Sequence, residues 1–211
     1  VNPLQLAVFV GARGRGSNLM ALHAATQEGR LSARIVCVVG TRADAPAVER
    51  ARAAGLNVRV VSPKDRTDDE YGDVLMRVLG AAGADTIALA GYLRRLPSAV
   101  VAAFPQRIVN VHPSLLPSFG GQGMYGENVH RAVLEYGCKV SGCTVHFVDE
   151  SYDTGPIILQ RAVPVEDGDT PETLAARILP HEHAAFADAL QLLAQGDLTV
   201  HGRAVYNSRS K

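Results

Sequence analysis

The sequence predicts an α/β fold: an open, mostly parallel twisted sheet with helices on both faces and an antiparallel extension in its C-terminal part. Three observations predict it. Short apolar runs alternate with helical stretches from residue 4 to residue 112. These runs are continuously apolar, which fits strands buried on both faces of a parallel sheet. After residue 117 the order changes to two longer strand-like runs joined by a polar loop.

Residues 4–10 read as the first strand, followed by a glycine-rich loop and a helix over 17–28. The second strand is 35–39, with a helix over 45–54 stopped by Gly55. The third strand is 57–61. Thr67-Asp68-Asp69-Glu70 has the pattern of a capping box and opens a helix to Ala82. The fourth strand is 86–90, then a short helix over 96–104 and a fifth strand over 108–112. The segment 118–127 contains four glycines and reads as a long loop. A helix over 128–136 stops at Gly137. Strands over 140–148 and 155–165 are expected to pair antiparallel. Thr170-Pro171-Glu172 opens a final helix, expected to kink or break at Pro180 and to end near Gln195. A last strand is expected over 198–205. With no repeat, low-complexity tract or linker, a single domain over 1–211 is the economical reading.

The chain of 211 residues is 47% hydrophobic and 20% charged, enough for one substantial core. Lys+Arg and Asp+Glu both number 21, so there is no basic excess of the kind that nucleic acid or an acidic membrane surface favours. No window approaches the roughly 18 apolar residues of a membrane span. The start, Val1-Asn2-Pro3-Leu4, lacks the features of a signal peptide. Three cysteines, an odd count, suggest a reducing compartment, and a cytoplasmic location is expected. Cys138, Cys143 and His146 lack the spacing of a zinc site, and no metal is expected.

The most informative stretch is Asn110-Val111-His112-Pro113-Ser114-Leu115-Leu116-Pro117. Successive strand side chains point to opposite faces, so Asn110 and His112 share a face where Pro113 stops the strand. In an open α/β sheet ligands bind outside the carboxyl ends of the strands. An amide donor beside a titratable imidazole suits carbonyl chemistry. A turn-capping Asn110 and a satisfied core His112 are the alternative. Gly11-Ala12-Arg13-Gly14-Arg15-Gly16-Ser17-Asn18-Leu19 joins the first strand to the first helix. It is a candidate phosphate site or a plain tight turn. It matches neither a P-loop nor a dinucleotide fingerprint. In the loop 149–156, Asp149 and Glu150 read as solvated. Asp153 could meet His112, and would then raise the imidazole pKa above its ordinary 6.5 or so. His181 and His183, two apart on a helix, do not face the same way.

Four segments together resemble the phosphoribosylglycinamide formyltransferases. They are Gly14-Arg15-Gly16-Ser17-Asn18-Leu19, Ala90-Gly91-Tyr92-Leu93-Arg94, Asn110-x-His112-Pro113-Ser114-Leu115-Leu116-Pro117, and Asp153-x-Gly155-Pro156-Ile157-Ile158. The resemblance runs from the first strand to about Gly196 and implies a Rossmann-like formyltransferase fold. It implies a phosphate-binding half to about 105 and a catalytic and folate half from about 106 to 205. It also implies formyl transfer from 10-formyltetrahydrofolate to glycinamide ribonucleotide in purine synthesis. The catalytic trio would be Asn110, His112 and Asp153. Gly16, Ser17 and Asn18 would hold the phosphate and Glu182 the nucleotide substrate. Arg94, Leu96, Asp149 and Asp153 would line the folate pocket. Arg107 and His146 match family positions as well. The sequence departs from the family pattern in a longer phosphate loop, in the segment 118–126, and in Pro180 just before Glu182.

That family's chemistry is direct attack through a tetrahedral intermediate, with Asn110 and protonated His112 as oxyanion donors held by Asp153. The expected partners are small molecules, without nucleic acid or membrane, and the chain is expected to be a monomer or homodimer. Rival readings are a formyltetrahydrofolate hydrolase, a formyltransferase acting on a sugar nucleotide, and a nicotinamide-dependent oxidoreductase. A formyl-tRNA enzyme would carry a further C-terminal domain and a basic surface, and a hydrolase an N-terminal regulatory domain. A non-catalytic phosphate-binding module would leave Asn110, His112 and Asp153 without purpose.

Overall fold

The computed structural model describes residues 2–208; residue 1 and residues 209–211, at the ends of the expected domain, lie outside the described residues. In chain order the elements are β1 (Leu4–Val10), α1 (Ser17–Gln27), β2 (Ala33–Gly40), α2 (Pro46–Ala53), β3 (Val58–Val60), α3 (Asp68–Ala82), β4 (Thr86–Ala90), α4 (Ser98–Ala103), β5 (Ile108–His112), α5 (Glu127–Tyr136), β6 (Val140–Phe147), β7 (Ile157–Pro164), α6 (Pro171–Gln195), β8 (Leu198–His201) and β9 (Ala204–Asn207). The strands form a seven-stranded, mostly parallel sheet in the order β3-β2-β1-β4-β5-β6-β7, and β8 pairs with β9 apart from it. The chain divides into two compact units, one up to Val109 and one from Asn110 onward, so the boundary falls inside β5.

In the first unit β1 pairs in parallel with both β2 and β4, and β2 with β3. β4 is buried throughout and β1 at every position but Gln5, as strands covered on both faces should be. Val10 lies opposite both Gly40 and Ala90, so three carboxyl ends finish level. The loops that follow them leave from one edge, the edge where such sheets bind ligands. A Cβ on Gly11 would lie 2.1 Å from the Gly91 carbonyl oxygen, so only glycine allows these two loops to pass so closely. Thr67 and Glu70 form the expected capping box at the start of α3.

In the second unit β6 and β7 pair antiparallel, as expected. The ladder slips between Val145 and His146: Val145 opposes Leu159 while His146 opposes Ile157, leaving Ile158 as an extra residue. Helix α6 runs unbroken over 25 residues with Pro180 inside it, so the expected interruption does not occur. Pro180 is on the exposed side, where a carbonyl that loses its amide partner can turn to water. The buried stripe Leu174, Ile178, Glu182, Ala185 continues past it in helical register. The expected single strand over 198–205 is a hairpin instead. Gly202, at φ 60°, takes the first of two turn residues and folds β9 back on β8.

Candidate active site

The site is built at the end of β5 and along β6. Asn110 and His112 are two apart on β5, as are Thr144 and His146 on β6, so each pair shares a face of its strand. The intervening Val111 and Val145 belong to the core. His112 and His146 are buried and Asn110 is half-buried. The slip in the β6–β7 ladder lies at His146, and such bulges re-aim side chains.

Asp153 joins the two histidines. Its Oδ2 lies 3.6 Å from His112 Nδ1, and its Oδ1 lies 3.6 Å from His146 Nε2. It sits at φ 56°, in a turn organised by Asp149, whose Oδ1 accepts from the Ser151 amide at 3.0 Å and from the Thr154 hydroxyl at 2.6 Å. A Cβ on Gly155 would lie 1.8 Å from the Phe147 carbonyl oxygen, so the turn can leave β6 this closely only with glycine there. The amide of Gly121 donates to Asp153 Oδ2 at 2.9 Å.

Two carbonyls settle the histidine tautomers. His112 Nε2 is 2.8 Å from the Phe119 carbonyl oxygen, and a carbonyl can only accept, so Nε2 carries a proton. In the neutral ring Nδ1 is then a lone pair facing Asp153. His146 Nδ1 likewise donates to the Phe147 carbonyl at 2.7 Å. Its Nε2 therefore accepts from the Asn110 amide at 3.1 Å. The second Asn110 proton reaches toward Asp153 Oδ1 at 3.4 Å, the longer of its two contacts.

The electrostatics correct one expectation. Burial lowers the pKa of His112 below its ordinary value, outweighing the Asp153 carboxylate and the Phe119 carbonyl that push it up; His146 adds to the lowering. The resting ring is therefore neutral at neutral pH, not an imidazolium. Burial pushes Asp153 the other way, up. The neighbouring His146 ring, the charge of His112 and the Gly121 amide together outweigh it and hold the carboxyl below its usual range.

Of the other expected positions, Gly16 is the N-cap of α1 at φ 74°, without a side-chain cap, and Ser17 and Asn18 form the first turn. A Cβ on Gly16 would come within 3.0 Å of the Ala47 Cβ. Arg13 and Arg15 are exposed, and Arg50 Nη1 donates to the Arg15 carbonyl at 3.3 Å. Arg94 is paired with Asp68 at 2.6 Å and lies over the Tyr71 ring at 5.4 Å. Leu96 is buried in the core and Arg107 is exposed. Glu182 is buried on α6. It helps hold the Cys143 thiol protonated, burial being the first cause of that pKa rising to about 11.

The structure thus brings Asn110, His112 and Asp153 together and assigns Asp149 to the turn beneath Asp153. Sequence reasoning missed the Phe119 carbonyl and the Gly121 amide as site groups and matched His146 to a family position without giving it a role. Two-residue spacing from Thr144 was a usable sign for His146; backbone groups of a glycine-rich loop leave no residue-type signal. Among the described residues no group of three or more His, Cys, Asp and Glu could hold a metal, and no helix is long and apolar enough to cross a membrane.

Comparison with known proteins adds an independent line. The formyl transferase family profile matches residues 4–190. The chain is 34% identical to the phosphoribosylglycinamide formyltransferase of Escherichia coli, covering 94% of this chain and 92% of that protein. It is 44% identical to the chloroplastic phosphoribosylglycinamide formyltransferase of Arabidopsis thaliana over 90% of this chain, and spans only 65% of that relative's length. The crystal structure of glycinamide ribonucleotide transformylase 1 from Symbiobacterium toebii superposes with a TM-score of 0.91 at 43% identity, covering 98% of this chain and 94% of that one.

Proposed function

Because the chain belongs to the formyl transferase family, we propose that it moves a formyl group from 10-formyltetrahydrofolate to the amine of glycinamide ribonucleotide, a step of purine synthesis. The observation that carries this reading is the Asn110–His112–Asp153 cluster. A neutral imidazole turns its lone pair toward a carboxylate, beside an amide donor whose second contact is loose.

The substrate amine attacks the formyl carbon on N10 of the folate. A carbon–nitrogen bond forms while the carbonyl π electrons move onto oxygen. The attacking nitrogen gives up a proton to His112 Nδ1, and the imidazolium so formed is stabilised by Asp153. Asn110, released from its long contact with Asp153, and the new Nδ1–H hydrogen-bond the oxyanion. The oxyanion then collapses, the carbon–N10 bond breaks, and the proton passes from His112 to N10. Formyl-ribonucleotide and tetrahydrofolate result. No protein nucleophile is used.

Gly16, Ser17 and Asn18 would hold the ribonucleotide phosphate, because an uncapped helix start offers amides and a positive dipole end. Glu182 would bind the nucleotide substrate. Arg94, Leu96, Asp149 and Asp153 would bind the folate, with Arg94 exchanging its exposed pairing with Asp68. The chain acts on small molecules as one formyltransferase domain, as monomer or homodimer, in the cytoplasm; three free thiols fit a reducing compartment.

The test mixes the purified protein with both substrates and follows folate absorbance with and without the ribonucleotide. Loss of formyl-folate that requires the ribonucleotide is expected. Loss without it would mean a hydrolase, and no loss in either case would send the reading to another amine acceptor.

A further inference from the structure

We infer that Ser114 is a positioning residue for His112: by anchoring the Ser118–Phe119 turn it decides which ring nitrogen carries the proton, and so leaves Nδ1 as the working nitrogen. What Nδ1 works on rests on the proposed function; the tautomer itself does not.

Two tautomers of neutral His112 compete. With the proton on Nδ1, the ring would donate to the Asp153 carboxylate, and hydrogen bonds to an ionised acceptor are intrinsically the stronger kind. With the proton on Nε2, it donates to the neutral Phe119 carbonyl. The observed 2.8 Å contact to Phe119, against 3.6 Å to Asp153, shows the second arrangement. A neutral carbonyl prevails over a carboxylate only if it is held where the ring needs it.

Ser114 supplies that hold. It is fully buried, and its hydroxyl donates to the Ser118 carbonyl at 2.7 Å, with the Phe119 oxygen next at 3.5 Å. Its own carbonyl accepts from the Thr144 hydroxyl at 2.6 Å. Thr144 Oγ1 in turn receives the Leu116 amide at 3.0 Å and Gln160 Nε2 at 2.9 Å. The turn being held is one the chain would not adopt unaided. Phe119 sits at φ 55°, the left-handed region that aromatic residues rarely enter. Its ring packs edge-on against Tyr136, centroids 6.0 Å apart. A Cβ on the next residue, Gly120, would lie 2.5 Å from Leu116 Cδ2. One residue further, the Gly121 amide binds Asp153 Oδ2. Three consecutive residues thus bring an acceptor to His112 and a donor to Asp153. That donor also draws Oδ2 away from a bond with Nδ1. The ionisable groups acting on His112 are Asp153 and His146 on β6; His112 in turn lowers the pKa of His130 on α5.

The test reads the imidazole directly in the full chain. Nitrogen-15 shifts of His112, assigned by their loss in His112→Gln, should show the Nε2–H tautomer in the wild type. Ser114→Ala should move the ring toward Nδ1–H. With it kcat should fall at least about tenfold with KM little changed, since complete loss of a working tautomer costs up to about 10⁴. Ser114→Cys, nearly isosteric with a far weaker donor, should fall between the two and serves if the alanine variant does not fold. Ser114→Thr, which keeps the hydroxyl, should restore the Nε2–H signal. A wild-type ring protonated on Nδ1, or a tautomer indifferent to both Ser114→Ala and Ser114→Cys, would overturn the inference. A wild type inactive toward both substrates but showing the tautomer shift would refute the proposed reaction and leave this inference standing.

Discussion

Nδ1 of His112 lies 3.6 Å from Oδ2 of Asp153, beyond hydrogen-bond reach but well within reach of its charge. The carboxylate is therefore placed to stabilise a proton that arrives on Nδ1, while burial keeps that proton off the resting ring. It follows that kcat/KM falls as pH drops through the folded pKa of His112, which lies below 6.5, because a protonated ring cannot accept the amine's proton. A rate that instead rises on acidification through that range would show the imidazolium to be the starting form.

Asp153→Asn keeps an oxygen for the Gly121 amide but removes the charge proposed to stabilise the imidazolium. Turnover should fall by about 10²–10⁴. Ribonucleotide binding, measured by calorimetry, should be nearly intact. Unchanged turnover would remove Asp153 from the mechanism.

Asn110→Ala deletes the proposed oxyanion donor, and kcat should fall by about 10²–10³. It also leaves His146 Nε2 without its amide, and a buried unpaired acceptor costs about 1–3 kcal/mol of stability. Steady-state kinetics and thermal unfolding on one preparation separate the two effects. A variant that is destabilised but fully active would make Asn110 structural only.

Acid should weaken the fold in two stages. His112, His130 and His183 each bind protons less readily in the folded chain than at the ordinary 6.5, burial being the first cause in every case. The unfolded chain takes up more protons below that pH, so stability is fully present above 6.5 and declines as pH falls through the folded values. Asp153 and Asp169 are held below the ordinary 3.8. Asp169 is lowered chiefly by its hydrogen bonds with Arg177, and the contribution of both is lost only at still lower pH. Urea midpoints flat from above 6.5 down to 3.8 would contradict the first stage.

Gly155→Ala forces a methyl group to within 1.8 Å of a backbone oxygen and requires the chain between β6 and β7 to move. Overpacking of this kind costs about 1–3 kcal/mol, and a chain of this size loses about 2–4 °C in Tm per kcal/mol. Because the turn carries Asp153, turnover should fall with it. An unshifted Tm would show that the turn accommodates the methyl freely.

Much of the fold was legible because its rules are short-range. Short apolar runs located 4–10 and 86–90, and Ile108-Val109 with the stop at Pro113 located 108–112, at the bounds the structure shows; Thr67 to Glu70 marked a capping box that forms. Period-two spacing put Asn110 and His112 on one face, and Pro113 ended the strand. What the sequence left undecided depends on groups distant along the chain or on the backbone itself. Asn110 and Asp153 are 43 residues apart, and only the turn released by Gly155 brings them to 3.4 Å. The hairpin at Gly202 and the unbroken helix through Pro180 were misjudged because a glycine's φ sign and a proline's exposure come from surroundings, not from spacing. The sign of the His112 shift reversed for a related reason. A neighbouring carboxylate can be guessed from sequence, but desolvation is a sum over everything packed around the ring, and the acceptor that fixes its proton is a backbone carbonyl. Local patterning therefore determined which residues stand at the end of β5, and the tertiary structure alone decided their charge, tautomer and partners.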